Sequence, residues 1–185
     1  MNILQKSQFL KKEADKILSK TNVVKILSKY GRVIMAGSYA YDLLTCRDID
    51  FCLVVKKTTV DLAFRIGTDL SKIKNIDKMH FGKSYLRGKK SKGMIWSLKI
   101  IDKNKVWKID IIIATKNIVD KIVNPGLEIK SLLTTEKRKI ILKLKKKLSI
   151  NKNFKKEFGS FDIYRAVLKH NVSSLAEWQK YWTSK

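Results

Sequence analysis

The stretch that most constrains the fold of this chain lies between residues 33 and 55, where two apolar runs flank a short polar segment. The first run leads into Gly37-Ser38, and the second begins with Asp48-Ile49-Asp50. Short apolar runs separated by small and polar residues are typical of two strands joined by a tight crossover. Side chains two residues apart on a strand point to one face, so the sequence predicts Asp48 and Asp50 side by side, roughly 7 Å apart.

Paired carboxylates repel each other unless a cation lies between them, so Asp48 and Asp50 form a natural site for Mg²⁺. A third carboxylate, Asp110, occurs inside the apolar run from Val106 to Ala114. An ionised Asp in such a strand is costly to bury without a partner. Nucleotide chemistry at Asp48 and Asp50 would require the fold to bring Asp110 beside them. Taken alone, Asp48 and Asp50 also fit solvated charges at a strand end, and Asp110 fits a strand-end Asp in water or one satisfied by an Arg.

The order of these elements resembles the signature of the DNA polymerase β-like nucleotidyltransferase superfamily. That signature is an apolar residue, Gly-Ser, about nine to thirteen residues, Asp-x-Asp, and a later acidic residue on another strand. Here it reads Ala36-Gly37-Ser38, nine residues, Asp48-Ile49-Asp50 and finally Asp110. The resemblance covers roughly residues 30 to 115. The segment from Ser160 to Val167 also looks like small bacterial members of the superfamily.

The resemblance implies a metal-dependent enzyme that transfers a nucleoside monophosphate from a nucleoside triphosphate (NTP), with ATP the expected donor, to an acceptor hydroxyl. Two Mg²⁺ ions, or Mn²⁺ in their place, would serve that reaction. Asp48 and Asp50 would bind the nucleotide metal and share the catalytic one. Asp110 would bind the catalytic metal and take the proton of the acceptor.

Three further residues are expected to bind the nucleotide. Gly37 would let the backbone approach the triphosphate closely. Ser38 would offer a hydroxyl and an amide at a helix start, where anions are favoured. Arg47, next to the Asp pair, would contact a phosphate. A surface ion pair between Arg47 and an Asp is an equal alternative.

The hydrophobic patterns predict an α+β fold with a twisted mixed sheet of four to five strands, helices packed on one face, and additional C-terminal helices. Residues 1–115 would form the catalytic core with N-terminal helices, and residues 116–185 a helical extension. The predicted strands are 32–36, 48–55, 78–86, 94–101 and 106–114. The predicted helices are 3–20, a short one capped at 21 or 22, 59–73, 134–148, one capped by Ser160 and one capped by Ser174.

The formal net charge of +25 is the second strong feature of the chain. Such a charge attracts polyanions, and nucleic acid is the usual partner. The alternative is the codon bias of an AT-rich genome, because lysines far outnumber arginines and Arg is the better bidentate phosphate ligand. The basic loop 87–93 and basic helix 136–147 are either solvated faces or tracks for a phosphate backbone.

Several acceptors fit this pattern. RNA, such as a tRNA end, suits the charge. A protein or a small antibiotic is an alternative, as is a catalytically inactive module that binds nucleic acid. No apolar run approaches the roughly 20 residues of a membrane span, and the N-terminus lacks signal-peptide features, so a cytoplasmic protein without a membrane partner is expected. The oligomeric state stays open.

Overall fold

The computed structural model describes residues 1–86, 89–150 and 157–185, and for residues 84–86 and 89–92 it describes the backbone. A five-stranded mixed sheet forms its centre, in the order β1-β2-β5-β4-β3. β2 and β5 are parallel and the other neighbours are antiparallel. The strands are β1 Arg32–Ala36, β2 Asp48–Val54, β3 Ile76–Leu86, β4 Lys89–Asp102 and β5 Lys105–Ala114. β4 begins at Lys89, so most of the predicted basic loop 87–93 is strand, while residues 87 and 88 lie outside the described residues.

Helices surround the sheet, and hydroxyl side chains cap several of them. Thr59, Thr134 and Ser174 each accept a hydrogen bond from a backbone amide of the first turn, as Thr or Ser does at this position. The predicted cap Ser160 is instead the first helical residue, and Gly159 precedes it. The helices are α1 Ile3–Thr21, α2 Val23–Ser28, α3 Gly37–Ala40, α4 Val60–Leu70, α5 Lys116–Leu132, α6 Thr135–Leu148, α7 Ser160–His170 and α8 Leu175–Thr183.

The two faces of the sheet differ in what covers them. Ile49, Phe51 and Ile111 point to the face on which α1, α2 and α4 pack, and they belong to the main core together with Trp96 and Trp107. On the opposite face α5 covers only part of the sheet, where Val119 packs in a small cluster against β1, β2 and the end of β5. These layers confirm the predicted α+β class.

A second core forms where α6, α7 and α8 meet. Trp178 and Tyr164 are its largest buried side chains, and Tyr41 and Leu43 extend it into the crossover between β1 and β2. The C-terminal helices therefore pack against the segment that carries the Gly-Ser turn. A division at residue 115 remains our proposal for the domain organisation. Among the described helices, none has both the length and the hydropathy needed to cross a bilayer.

Candidate active site

Three carboxylates converge on the incompletely covered face of the sheet. Asp50 lies directly opposite Asp110 in the parallel pair of β2 and β5. Because Ile49 and Ile109 point into the main core, the alternating Asp48, Asp50 and Asp110 point to the other face. One carboxylate oxygen from each of the three lies within 4.8 Å of the others, and all three residues are half-buried. The structure thus brings the predicted triad together.

Lys108 and Ser97 contact the triad directly. The Ser97 hydroxyl donates to Asp110 Oδ1 at 2.7 Å. The Lys108 ammonium pairs with Asp110 and lies 3.8 Å from Asp48 Oδ1. Burial lowers the pKa of Lys108, but the hydrogen bond to Asp110 and the nearby carboxylate charges outweigh it and raise the pKa. The cluster thus brings together three carboxylates, the ligand type that a hard divalent cation prefers.

The glycine of the Gly-Ser turn is required by its backbone and by its neighbour. Gly37 has φ +62°, a left-handed conformation that residues with a Cβ rarely adopt. A Cβ atom built on Gly37 would lie 2.0 Å from Asp50 Oδ2. The turn therefore packs its backbone directly against the carboxylate of Asp50. This places β1 and the turn on the side of the triad away from β5.

Lys145 of α6 contacts the Gly-Ser turn, a contact that the sequence did not predict. Its side chain is buried, with 3% of the residue exposed, although it carries a charge. The ammonium donates to Ser38 Oγ and to the Leu43 carbonyl, both at 2.7 Å, and to the Tyr164 hydroxyl at 3.2 Å. Lys145 follows Ile141 by four residues and precedes Leu148 by three, so it occupies the apolar stripe of α6. A lysine at a stripe position was the signal available in the sequence.

Arg47 contacts an acidic residue on α1 instead of facing the triad. Its guanidinium donates to Glu13 Oε2 at 2.9 Å, and the Lys105 ammonium donates to Glu13 Oε1 at 2.5 Å. Glu13 thereby joins α1 to the residue before β2 and to the first residue of β5. A phosphate that binds Arg47 would have to compete with this carboxylate. The nucleotide-binding role of Arg47 stays a prediction.

The Glu13 contacts predict a pH-dependent stabilisation. Burial opposes ionisation of Glu13, but the hydrogen bonds from Lys105 and Arg47 outweigh it and lower its pKa below 4.5. Ionised Glu13 therefore stabilises the fold above pH 4.5, and this contribution is lost as the pH falls through the lowered pKa. We expect Glu13→Gln to lower the melting temperature at pH 7 and to have little effect near pH 3.

Thermal melts at both pH values, followed by circular dichroism, measure this difference. Asp61→Asn is the matched control, because Asp61 is 78% exposed in a surface pair with Arg65 and should matter little at either pH. If Glu13→Gln lowers the melting temperature equally at pH 7 and pH 3, the Glu13 charge does not stabilise the packing of α1 against the strands.

Three solved structures of known enzymes superpose on most of this chain. A Cid1 poly(U) polymerase bound to MgATP superposes with a TM-score of 0.66 at 18% identity, over 88% of this chain and 50% of the other. A cytoplasmic RNA terminal U-transferase matches with a TM-score of 0.61 at 16% identity, over 88% and 49%. The non-canonical poly(A) polymerase GLD-2, in complex with GLD-3, matches with a TM-score of 0.59 at 15% identity, over 90% and 58%.

The chain therefore has the fold of the DNA polymerase β-like nucleotidyltransferases, as the Gly-Ser and Asp-x-Asp pattern predicted. It spans about half the length of these structures. No protein-family model matches the sequence, and no curated protein matches it. At such low identity the likeness establishes the fold, and the chemistry must be argued from the site.

Proposed function

We propose that this protein is a cytoplasmic, metal-dependent nucleotidyltransferase that transfers a nucleoside monophosphate from an NTP to a hydroxyl of RNA. The observation that carries the proposal is the convergence of Asp48, Asp50 and Asp110 beside the Gly37-Ser38 turn. A fold of this kind supports more than one function. The proposal therefore depends on these side chains and their surroundings.

The donor set of the triad fits a hard divalent cation. All its ligand atoms are carboxylate oxygens, which Mg²⁺ prefers, and Mn²⁺ accepts the same set. Asp48, Asp50 and Asp110 would hold the metal, which when bound neutralises phosphate charge and lowers the pKa of a bound hydroxyl. The Lys108 ammonium pairs with Asp110 and lies 3.8 Å from Asp48 Oδ1, so it would lie beside a metal bound there.

The surroundings of Ser38 suit the triphosphate of the donor. The Ser38 hydroxyl and the Lys145 ammonium lie within hydrogen-bond distance of each other, just beyond the turn that touches Asp50. Among the described residues, the partners of this buried ammonium are neutral oxygens, so its charge is available to a phosphate. The turn would meet the triphosphate through its backbone at Gly37, where the space that a Cβ would take is filled by Asp50 Oδ2. We assign Gly37, Ser38 and Lys145 to the donor.

The acceptor belongs on the other side of the triad. Asp50 contacts the Gly-Ser turn, whereas Asp110 lies one strand further away, on β5. A hydroxyl that arrives from the β5 side would meet Asp110 first. Asp110 is therefore the group placed to accept the proton of that hydroxyl, while Ser97 and Lys108 hold its carboxylate in position.

RNA is the acceptor that the charge favours. The net charge of +25 attracts a polyanion, and a cationic antibiotic would be repelled. The structural neighbours named above act on RNA ends, but the present chain covers only about half of their length. A protein acceptor is the alternative, and the assay below distinguishes the two.

The test is transfer from NTPs labelled at the α-phosphate. Each NTP is supplied separately with Mg²⁺ or Mn²⁺, bulk tRNA and cell lysate, with Asp48→Ala/Asp50→Ala in parallel. We expect label in RNA, with ATP the best donor, and no label with the double variant. Label in protein or in a small molecule would change the acceptor. If no acceptor is labelled and calorimetry detects no binding of Mg²⁺-NTP, the proposal is wrong.

Lys145→Met should separate nucleotide binding from stability. Met fills a similar volume and removes a buried charge for which the described residues provide no ion pair. We expect an unchanged or higher melting temperature, together with an affinity for Mg²⁺-NTP about tenfold weaker because a charge-assisted bond to phosphate is lost. Calorimetric titration and thermal melts measure the two effects.

Lys143→Met is the matched control, since Lys143 is on the same helix with an exposed side chain. It should leave the nucleotide affinity unchanged within about a factor of two. Equal effects of the two substitutions would remove Lys145 from the donor site.

A further inference from the structure

Two rows of side chains extend from the triad across the open face of the sheet. Strand register places Asp48 opposite Lys108, Lys108 opposite Lys99, and Lys99 opposite Lys78. The three lysines lie on three neighbouring strands, β5, β4 and β3. At a strand spacing of about 4.8 Å, their Cα atoms span roughly 10 Å. We call Lys108, Lys99 and Lys78 the lysine row.

The second row is parallel to the first. Asp110 lies opposite Ser97, and Ser97 lies opposite His80. His80 is exposed at the far end, on the outer strand of the sheet. An imidazole ring offers a flat surface on which an unpaired base can stack. The two rows therefore place cations beside an aromatic ring, with both rows beginning at the triad.

Folding alone does not explain the lysine row. Like charges directly opposite each other on neighbouring strands are destabilising. Among the described residues, neither Lys78 nor Lys99 forms an ion pair, and both are exposed. A lysine on an edge strand can guard against pairing with another sheet, which accounts for Lys78 on β3. It does not account for Lys99, because β4 lies between β3 and β5.

We propose that the lysine row and His80 bind the phosphate backbone and a base of a single-stranded nucleic acid whose 3′ end lies at Asp110. A polyanion would offset the repulsion between the lysines because its phosphates attract each ammonium group. The release of its counterions would also favour binding. The direction of the strand rests on the proposed function, which places the donor on the Gly37 side and the acceptor hydroxyl on the β5 side. The strand leaves the site across β4 and β3.

The experiment measures binding without turnover. The full chain is titrated, without NTP or divalent metal, into a fluorescent oligomer of about 15 nucleotides, as RNA and as DNA, over a range of salt. Lys78→Gln/Lys99→Gln is compared with Lys16→Gln/Lys25→Gln, which removes the same charge. Lys16 and Lys25 are exposed on α1 and α2, behind the sheet.

For Lys78→Gln/Lys99→Gln we expect the affinity for the oligomer to be about tenfold weaker. The slope of log affinity against log salt concentration should be smaller in magnitude by about 1.4. The melting temperature should be no lower than that of the wild type. The control variant should change affinity by no more than about twofold. Equal binding of RNA and DNA, or preference for RNA, supports a path built on phosphates. Equal weakening by both variants, or no binding of either oligomer by the wild type at about 50 mM salt, would overturn the proposal.

Two further outcomes separate this inference from the proposed function. If the lysine row binds RNA but no NTP is consumed, the result supports the binding path and the proposed nucleotidyl transfer is wrong. If transfer occurs and Lys78→Gln/Lys99→Gln does not change its rate, the result supports the proposed function and the binding path is wrong. Tighter binding of a polyglutamate of equal charge, with the same dependence on the row, would assign the surface to an acidic protein instead.

Discussion

Asp110→Asn is expected to reduce nucleotidyl transfer by about 10³-fold, the rate equivalent of about 4 kcal/mol. The amide keeps the shape of the side chain and can still accept the bond from Ser97. It cannot take a proton, and it removes one negative charge from the metal-binding set. Initial rates at saturating NTP measure the loss, and the affinity for Mn²⁺, followed by electron paramagnetic resonance, should fall in parallel.

Asp42→Asn is the matched control for this substitution. Asp42 lies in the crossover between β1 and β2, close in sequence to the triad, but its side chain is 58% exposed. Its φ of +54° suits Asn at least as well as Asp. We expect transfer within about twofold of wild type and unchanged Mn²⁺ affinity. If Asp42→Asn and Asp110→Asn reduce transfer equally, the triad is not the metal site.

Gly37→Ala is expected to damage both stability and activity. Left-handed backbone costs a residue with a Cβ roughly 1–2 kcal/mol, and the new methyl group would lie 2.0 Å from Asp50 Oδ2 unless that carboxylate moves. We expect unfolding to become easier by about 2 kcal/mol. We also expect transfer to fall by about 100-fold, because displacement of a reacting group by even 1 Å has that effect.

Chemical denaturation and initial rates measure the two effects of Gly37→Ala. Gly159→Ala provides the control, because no atom lies within 4 Å of a Cβ at that position and its φ of −131° is open to alanine. It should cost less than about 1 kcal/mol and leave transfer intact. Full activity in Gly37→Ala would mean that the turn does not position Asp50.

The local patterns predicted the strands well because they depend on alternation along the chain. The runs at 32–36, 48–55 and 106–114 correspond closely to β1, β2 and β5. The spacing of Asp48 and Asp50 predicted a shared face for the same reason. The helix α5 had no predicted boundaries, and the sequence Asn124-Pro125-Gly126 inside it would ordinarily indicate a turn.

The sequence patterns did not predict which distant strands pair with each other. The chemistry required Asp110 to lie beside Asp50, and the structure places them opposite each other in a parallel pair of strands. Register of this kind depends on which buried faces meet, and no local pattern encodes it. The members of the lysine row are likewise separated by 9 and 21 residues along the chain, and they become neighbours through the pairing of β4 with β5 and of β3 with β4.

The sequence by itself determined the elements of the site: a Gly-Ser turn, two carboxylates on one strand face, and a third in a later strand, all set by local periodicity. The tertiary structure alone decided which other charges contact them. Packing of α6 against the crossover brings Lys145 to Ser38 across 107 residues, and packing of α1 brings Glu13 to Arg47. Such contacts depend on how buried faces fit in three dimensions, so a charge run read along the chain cannot distinguish a solvated lysine from a buried one.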